Sequence, residues 1–364
     1  MIDHTAGAQR RATGDARSAR TASAADLVRR TLAQHGLTPG LDWGPAGTVQ
    51  TGASAMEDLL TRFTSPLGDA SMKEAPIPEG AEFRTERFSC AAGSRAYRTY
   101  VPSTAAEGVA GVLVMLHGCT QNPEDFAAGT GMNALAETRR LIVIYPQQSR
   151  GDNAQSCWNW FSRGDQRRDR GEPAILAGMT RKAMAEHGAP SDRTFVAGLS
   201  AGAAMAVILG ETYPDVFSAV GAHSGLPFGA AKDVASAFAA MSGGAQGAAG
   251  GRPHTPAVRT IVFHGSADST VHPSNGERIA QQVMDRGAWR TIETDARAYG
   301  PGRSFTRKIA TTADGVIELE HWVVDGLAHA WSGGRPGGSY TDAKGPDASA
   351  EMVRFFLGAP DQGV

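Results

Sequence analysis

Five residues, Gly198-Leu199-Ser200-Ala201-Gly202, set a hydroxyl between two glycines where an apolar run, TFVAGL, meets a small-residue run, AGAAMAVIL. A serine hydroxyl is a weak nucleophile and must be held exposed, with its proton within reach of a base. A sharp strand-to-helix turn does this, and it strains the backbone and crowds strand against helix; the two glycines relieve the crowding. The same turn opens a helix, so the Ala201 amide points outward and the helix dipole favours developing negative charge. The plainer reading is a helix start with Ser200 near its N-cap.

Such a serine needs an imidazole, and the imidazole needs an orienting carboxylate. FHGSADSTVHP follows an apolar run and presents Asp268 in a loop. Asp325 and Asp342 compete with it, but neither directly follows a buried strand. DGLAHAWSGG presents His329 after the last strand-like segment. Its rivals are His264, which sits before a turn glycine and reads as structural, His272, and His321, which lies within a strand. Serine, aspartate and histidine then follow one another in the chain order of the α/β-hydrolase triad. A tetrahedral intermediate also needs preset donors for its oxyanion. Ala201 N–H is one, and the second is expected from LHGCTQN, where Gly118 turns the chain and Cys119 offers its amide.

The elements that must position these residues come from periodicity. RFSCAAGSRAYRTYVP and the residues just before it read as a β-hairpin. Continuous apolar runs, GVLVMLHG, LIVIYPQ, RTFVAGLS, FSAVGAHSG and RTIVFHG, read as strands buried on both faces. Helical stretches alternate with them: DFAAGTGMNALAETRR, EPAILAGMTRKAMAEHG, AGAAMAVILGETYP, SNGERIAQQVMDRG and DASAEMVRFFLG. IELEHWVVDGLAHAW is a further strand leading into a loop. Alternation of this kind predicts a mostly parallel sheet with helices on both faces, whose ligands gather beyond the strands' carboxyl ends. Ser200, Asp268, His329 and the Gly118–Cys119 turn each lie at such an end. Residues 1–80 are expected to form an N-terminal arm, partly disordered with one short helix at 24–36, and 81–358 the catalytic domain. Residues 226–256, rich in Ala and Gly, are expected as a lid or insertion, and 359–364 as a tail.

The chain has 364 residues, 41% hydrophobic and 20% charged, enough for one large α/β core. A formal charge of −2 gives no basic field for nucleic acid. No run reaches the roughly 18 apolar residues of a membrane span. The arginines near the start have no apolar stretch behind them, so a secretory leader is not expected. Three cysteines make neither a disulfide scaffold nor a CxxC metal pattern; they are three packed thiols, or one bridge and a spare. Oligomeric state is left open.

With RTYVP, LHGCTQNPEDFA, YPQQ, CWNWF, GLSAGAAMA, FHGSADSTV and HAWSGG in hand, the chain resembles the polyhydroxybutyrate-depolymerase family of esterases. It is also similar to feruloyl and acetyl xylan esterases. The resemblance spans about residues 84–357. It implies an α/β-hydrolase fold, no metal or cofactor, and ester hydrolysis through Ser200, Asp268 and His329. The substrate would be poly(3-hydroxybutyrate), its oligomers or short-chain esters. Feruloyl or acetyl groups on xylan are the second choice, and a non-catalytic homologue that binds polymer or a partner is the third. The resemblance also suggests a Cys119–Cys157 disulfide pinning the oxyanion loop, against two reduced thiols in a cytoplasmic setting. Cys90 is expected as a packed small hydrophobe. Trp331, two residues past His329, is expected to touch substrate, with Trp158, Trp160 and Phe161 behind it as further aromatic wall or as core. Family members are often secreted, which stands against the missing leader.

Overall fold

Six strands pair in parallel through the middle of a ten-stranded sheet, and antiparallel pairs extend both edges. In the computed structural model, residues 77–244, 258–287, 289–297 and 301–358 are described. The expected helix at 24–36, the arm before residue 77 and the tail at 359–364 lie outside them.

In chain order the strands are β1 Glu82–Cys90, β2 Gly93–Val101, β3 Gly111–Leu116, β4 Leu141–Pro146, β5 Thr194–Leu199, β6 Ala219–His223, β7 Arg259–Gly265, β8 Trp289–Arg297, β9 Phe305–Thr312 and β10 Ile317–Val324. They lie in the order β1-β2-β4-β3-β5-β6-β7-β10-β9-β8. The short strands β11, Trp331–Ser332, and β12, Thr341–Asp342, pair separately. The helices are α1 Pro123–Thr130, α2 Met132–Arg139, α3 Gly171–His187, α4 Ala201–Thr212, α5 Val234–Met241, α6 Ser274–Met284 and α7 Ala348–Leu357. No helix among the described residues is long and apolar enough to cross a membrane.

Strands β3 to β6 are almost wholly apolar because both their faces are covered. On β3, Val112, Val114 and Leu116 join one core with residues of α3, α4 and α6, while Leu113 and Met115 join a second with residues of α1, α2 and α7. Side chains alternate across the pleat, so a strand between two helical layers turns neither face to water. This is the α/β-hydrolase architecture.

Three local features differ from the sequence reading. The stretch expected as one helix after β3 breaks at Gly131, whose backbone is left-handed at φ 62°, giving α1 and α2. The β8–β9 hairpin was not anticipated. Its strand β8, WRTIETDAR, is charged along its length and leaves Ile292 half exposed, so it lacks the period-2 signal of a covered strand. Cys90 is exposed rather than packed, because it ends β1 at the tip of an edge hairpin, opposite Gly93.

Part of the expected lid is docked. α5 begins at Asp233, whose side chain accepts from Ser236 N while the Ser236 hydroxyl accepts from Asp233 N. Ala237 and Ala240 are buried, and Phe228 exchanges two hydrogen bonds of 3.0 Å with the Gln282 side chain on α6. Residues 245–257 of that segment lie outside the described residues.

Trp322 anchors the α1/α2/α7 face at the β7–β10 boundary. It packs on Phe263 at 5.0 Å and Phe305 at 4.6 Å, lies under the Arg307 guanidinium, and donates to Glu320 at 2.9 Å. Trp322→Ala should therefore lower the unfolding free energy by about 3–5 kcal/mol in a denaturant titration. A loss below about 1 kcal/mol would refute this account of the core.

Candidate active site

Ser200 sits at φ 57°, ψ −118°, a backbone region costly for any side chain, directly between β5 and α4. The two flanking glycines are required by contact. A Cβ on Gly198 would fall 2.4 Å from Gly202 C, and a Cβ on Gly202 would fall 2.1 Å from Leu116 O. The elbow is thus pressed against the end of β3, where the loop with the second expected oxyanion donor begins. Ser200 N donates to His223 O at 2.9 Å, tying the elbow to the end of β6.

Asp268 and His329 meet. Asp268 leaves β7 by a loop and His329 follows β10, the neighbouring strand. His329 Nδ1 lies 2.8 Å from Asp268 Oδ2, while Oδ1 accepts Thr270 N and Val271 N, each at 2.9 Å. This bond assigns the proton to Nδ1 and leaves Nε2 as the basic nitrogen. Burial raises the Asp268 pKa, but the His329 hydrogen bond, the imidazole's charge and the Val271 amide outweigh it and hold the carboxyl below the usual aspartate range. Asp325 instead takes the Ser304 hydroxyl and Asp342 pairs with Arg303, so neither competitor orients His329. Among the described residues no hydrogen bond joins Ser200 Oγ to an imidazole. Nucleophile–base bonds are often long before substrate closes them.

The rival histidines have other partners. His264 donates Nε2–H to Val271 O at 2.8 Å and stands 3.5 Å from Asp268 Oδ2. His272 hydrogen-bonds Ser274 at the surface, and His321 is buried in β10.

The loop after β3 is held from several sides. His117 accepts Gln148 N on Nε2 at 3.1 Å and gives Nδ1–H to Gly118 O at 2.7 Å. Gly118 N reaches Gln121 Oε1 at 2.9 Å, and Gln121 Nε2 reaches Asp125 at 2.8 Å. Thr120, at φ 65°, donates its hydroxyl to Cys119 O and stands 3.2 Å from Tyr340 OH. Cys119 is bridged to Cys157, with a Cα–Cα distance of 4.3 Å. Among the described residues Cys119 N–H has no partner, as a free oxyanion donor requires.

The aromatic expectation needs correction. Trp331 is 1% exposed, stacks on His223 at 5.0 Å and donates to Ser349 Oγ at 3.0 Å. Trp158 is fully buried and donates to His117 O at 3.1 Å. Trp160 is 6% exposed and packs edge-on against Phe161. Trp331 and Trp158 brace the site from within; their faces are already spent on protein neighbours. Phe161 alone of the four is half-buried.

Polar residues beneath the site were missed. His223 ends the apolar strand β6, which was the available signal; its Nε2 accepts Ser332 N at 3.0 Å. Burial pushes its pKa to about 3, and that of His117 to about 4. Glu172 lies under CWNWF, accepting Asn159 N and Nδ2 at 2.7 Å and Gln148 Nε2 at 2.5 Å, with Arg95 at 3.3 Å. Burial lifts its pKa to about 7.

Residues 95–305, more than half of the chain, match the family described as Esterase PHB depolymerase. The chain belongs to this family. It is 34% identical over 230 residues to poly(3-hydroxyalkanoate) depolymerase C of Paucimonas lemoignei, covering 60% of this chain and 54% of that protein. It is 30% identical over 201 residues to acetylxylan esterase A of Talaromyces purpureogenus, covering 50% of this chain and 51% of that protein. The chain thus spans about half the length of these relatives. Among solved structures, an acetyl xylan esterase from Aspergillus awamori superposes with TM-score 0.54 at 22% identity, covering 72% of this chain and 94% of that one, a likeness of fold.

Two outcomes follow. Cys157→Ser frees a loop with a sequence separation of 38, which should cost about 4 kcal/mol of stability by denaturant unfolding; an unchanged midpoint would mean that the bridge does not constrain the loop. His117 and His223 are neutral in the fold, with pKa values below the unfolded value near 6.5. The unfolded chain therefore binds more protons below that pH, and stability should fall progressively from about pH 6.5 to pH 3. A flat unfolding free energy across that window would contradict it.

Proposed function

We propose that the chain is a carboxylic ester hydrolase that works through an acyl-enzyme, with Ser200 as nucleophile, His329 as base and Asp268 as its orienting carboxylate. The observation that carries the reading is the Asp268–His329 bond at the ends of β7 and β10, two and three strands along from the strained elbow after β5. With Nδ1–H engaged by Asp268, His329 Nε2 takes the Ser200 proton as Oγ attacks the ester carbonyl. The amides of Cys119 and Ala201 receive the oxyanion, the latter aided by the α4 dipole. His329 then gives its proton to the departing alcohol. Water, deprotonated by the same nitrogen, attacks the acyl-enzyme and restores the serine.

Poly(3-hydroxybutyrate), its oligomers and short-chain esters are the preferred substrates, a reading supported by the family's description as a PHB depolymerase and by the poly(3-hydroxyalkanoate) in the name of the Paucimonas lemoignei relative. The acetylxylan esterase relatives support acetylated xylan as the second reading. The Cys119–Cys157 bridge favours an oxidising compartment over the cytoplasm.

Ser200→Ala should lower p-nitrophenyl butyrate turnover by roughly 10⁴-fold or more while the protein stays folded. Near-normal turnover would end the proposal. Rates on emulsified poly(3-hydroxybutyrate), ethyl ferulate and acetylated xylan then rank the substrates; a preference for xylan by the intact enzyme would displace the polyester reading.

A further inference from the structure

Glu172, the second residue of α3, is 3% exposed and has no part in the chemistry proposed above. Four donors converge on its carboxyl. Oε1 accepts Gln148 Nε2 at 2.5 Å, Asn159 Nδ2 at 2.7 Å and Arg95 Nη2 at 3.3 Å, and Oε2 accepts Asn159 N at 2.7 Å. Among the described residues, every hydrogen bond to this carboxyl comes from a donor. A carboxylate answers all four. A carboxamide or a protonated carboxyl would turn an N–H or O–H toward groups that also donate. The surroundings therefore fit the charge of Glu172 as well as its shape.

These donors lead to the loop after β3. Gln148 gives its backbone N–H to His117 Nε2 at 3.1 Å, and its side-chain nitrogen also meets Cys157 O at 3.0 Å. Between Gln148 and Asn159 the chain touches the same loop at three further points. Gln155 O accepts Thr120 N at 2.8 Å, Trp158 Nε1 donates to His117 O at 3.1 Å, and Cys157 is bridged to Cys119. The segment 148–159 thus grips residues 117, 119 and 120, and Glu172 fastens both its ends. The carboxylate is held in turn. Arg95 of β2 donates Nε–H to Gln148 Oε1 at 2.9 Å, and Asp165 Oδ1 accepts Glu172 N at 2.7 Å.

We propose that Glu172 is a positioning residue for ester hydrolysis, whose ionised carboxylate holds segment 148–159 and, through it, the Cys119 amide where the oxyanion forms. The inference rests on the esterase reading and adds to it a residue that acts only through others.

The test compares Glu172→Gln, which keeps the shape and loses the charge, with Glu172→Asp, which keeps the charge on a shorter stem. The full chain is assayed with p-nitrophenyl butyrate at about pH 8.5, above the value of about 7 to which burial lifts this carboxyl. Complete labelling by a fluorophosphonate counts the competent Ser200 sites, so turnover is expressed per site. Both halves of the reaction pass through an oxyanion, so a displaced donor lowers kcat and leaves KM unmoved. Glu172→Gln should lower kcat about tenfold or more, with KM changed by less than about twofold. Inhibition by butane-1-boronic acid should weaken by a like factor. There Ser200 Oγ adds to boron, its proton passes to His329, and the tetrahedral boronate sets an oxygen where the oxyanion forms. Glu172→Asp should keep more activity than Glu172→Gln. An unchanged kcat per labelled site, a loss carried by KM alone, unchanged boronate inhibition, or a Gln variant more active than the Asp variant would each overturn the proposal. The last is what a purely space-filling role gives. If Glu172→Gln does not fold, Asn159→Ala, which withdraws the Nδ2 donor, is measured for the same fall in kcat at constant KM. No labelling of the unmutated chain would remove the esterase reading and the inference with it, whereas labelled sites with unchanged kcat remove the inference alone.

Discussion

The carbonyl of Leu116 leaves no room for a side chain at position 202. A Cβ there would lie 2.1 Å from that oxygen and 2.6 Å from the carbonyl of His117. This closeness at the junction of β3, β5 and α4 is the constraint on which the site depends. It sets the Ser200 elbow against the end of β3, from which the loop that bears Cys119 departs. A wider junction would leave room for side chains at positions 198 and 202.

What keeps the junction tight is a shell of buried polar groups, each with a fixed partner. His117 holds the loop after β3 to Gln148, His223 holds the elbow and the His329 loop to the end of β6, and Glu172 gathers Asn159, Gln148 and Arg95 under the CWNWF turn. Burial keeps both imidazoles neutral, so each offers one donor and one acceptor, as its position needs. The tryptophans belong to this shell. Trp158 and Trp331 give their N–H groups to His117 O and Ser349 and their faces to neighbouring rings. They orient the groups that could do chemistry and offer no surface to a polymer.

Asp268 shows the same economy. Its four closest polar neighbours are two backbone amides, His329 and, at 3.5 Å, His264. The amides on Oδ1 fix the carboxylate's plane, which in turn fixes the ring of His329 through Oδ2. A buried carboxylate so surrounded stays ionised despite its burial, the state needed to support an imidazolium.

Much of this was legible in the residues themselves. Both-face burial forces continuous apolar strands, so β3 to β7 could be read directly, and small residues crowded around one serine could be read as an elbow. The chain order of Ser200, Asp268 and His329 followed from the loops after those strands. The β8–β9 hairpin was not legible, because an edge strand satisfies its backbone whatever faces water, and its charged side chains carry no periodic signal. Nor could the sequence say which tryptophans were spent inside, since an indole beside a site and one beneath it have the same spacing. Local chemistry and periodicity determined the elements and the candidate side chains. Only the packing of the sheet decided which of them meet, because contacts such as His223 with Trp331 or Gln148 with His117 join segments 31 residues apart or more, a separation no local pattern encodes.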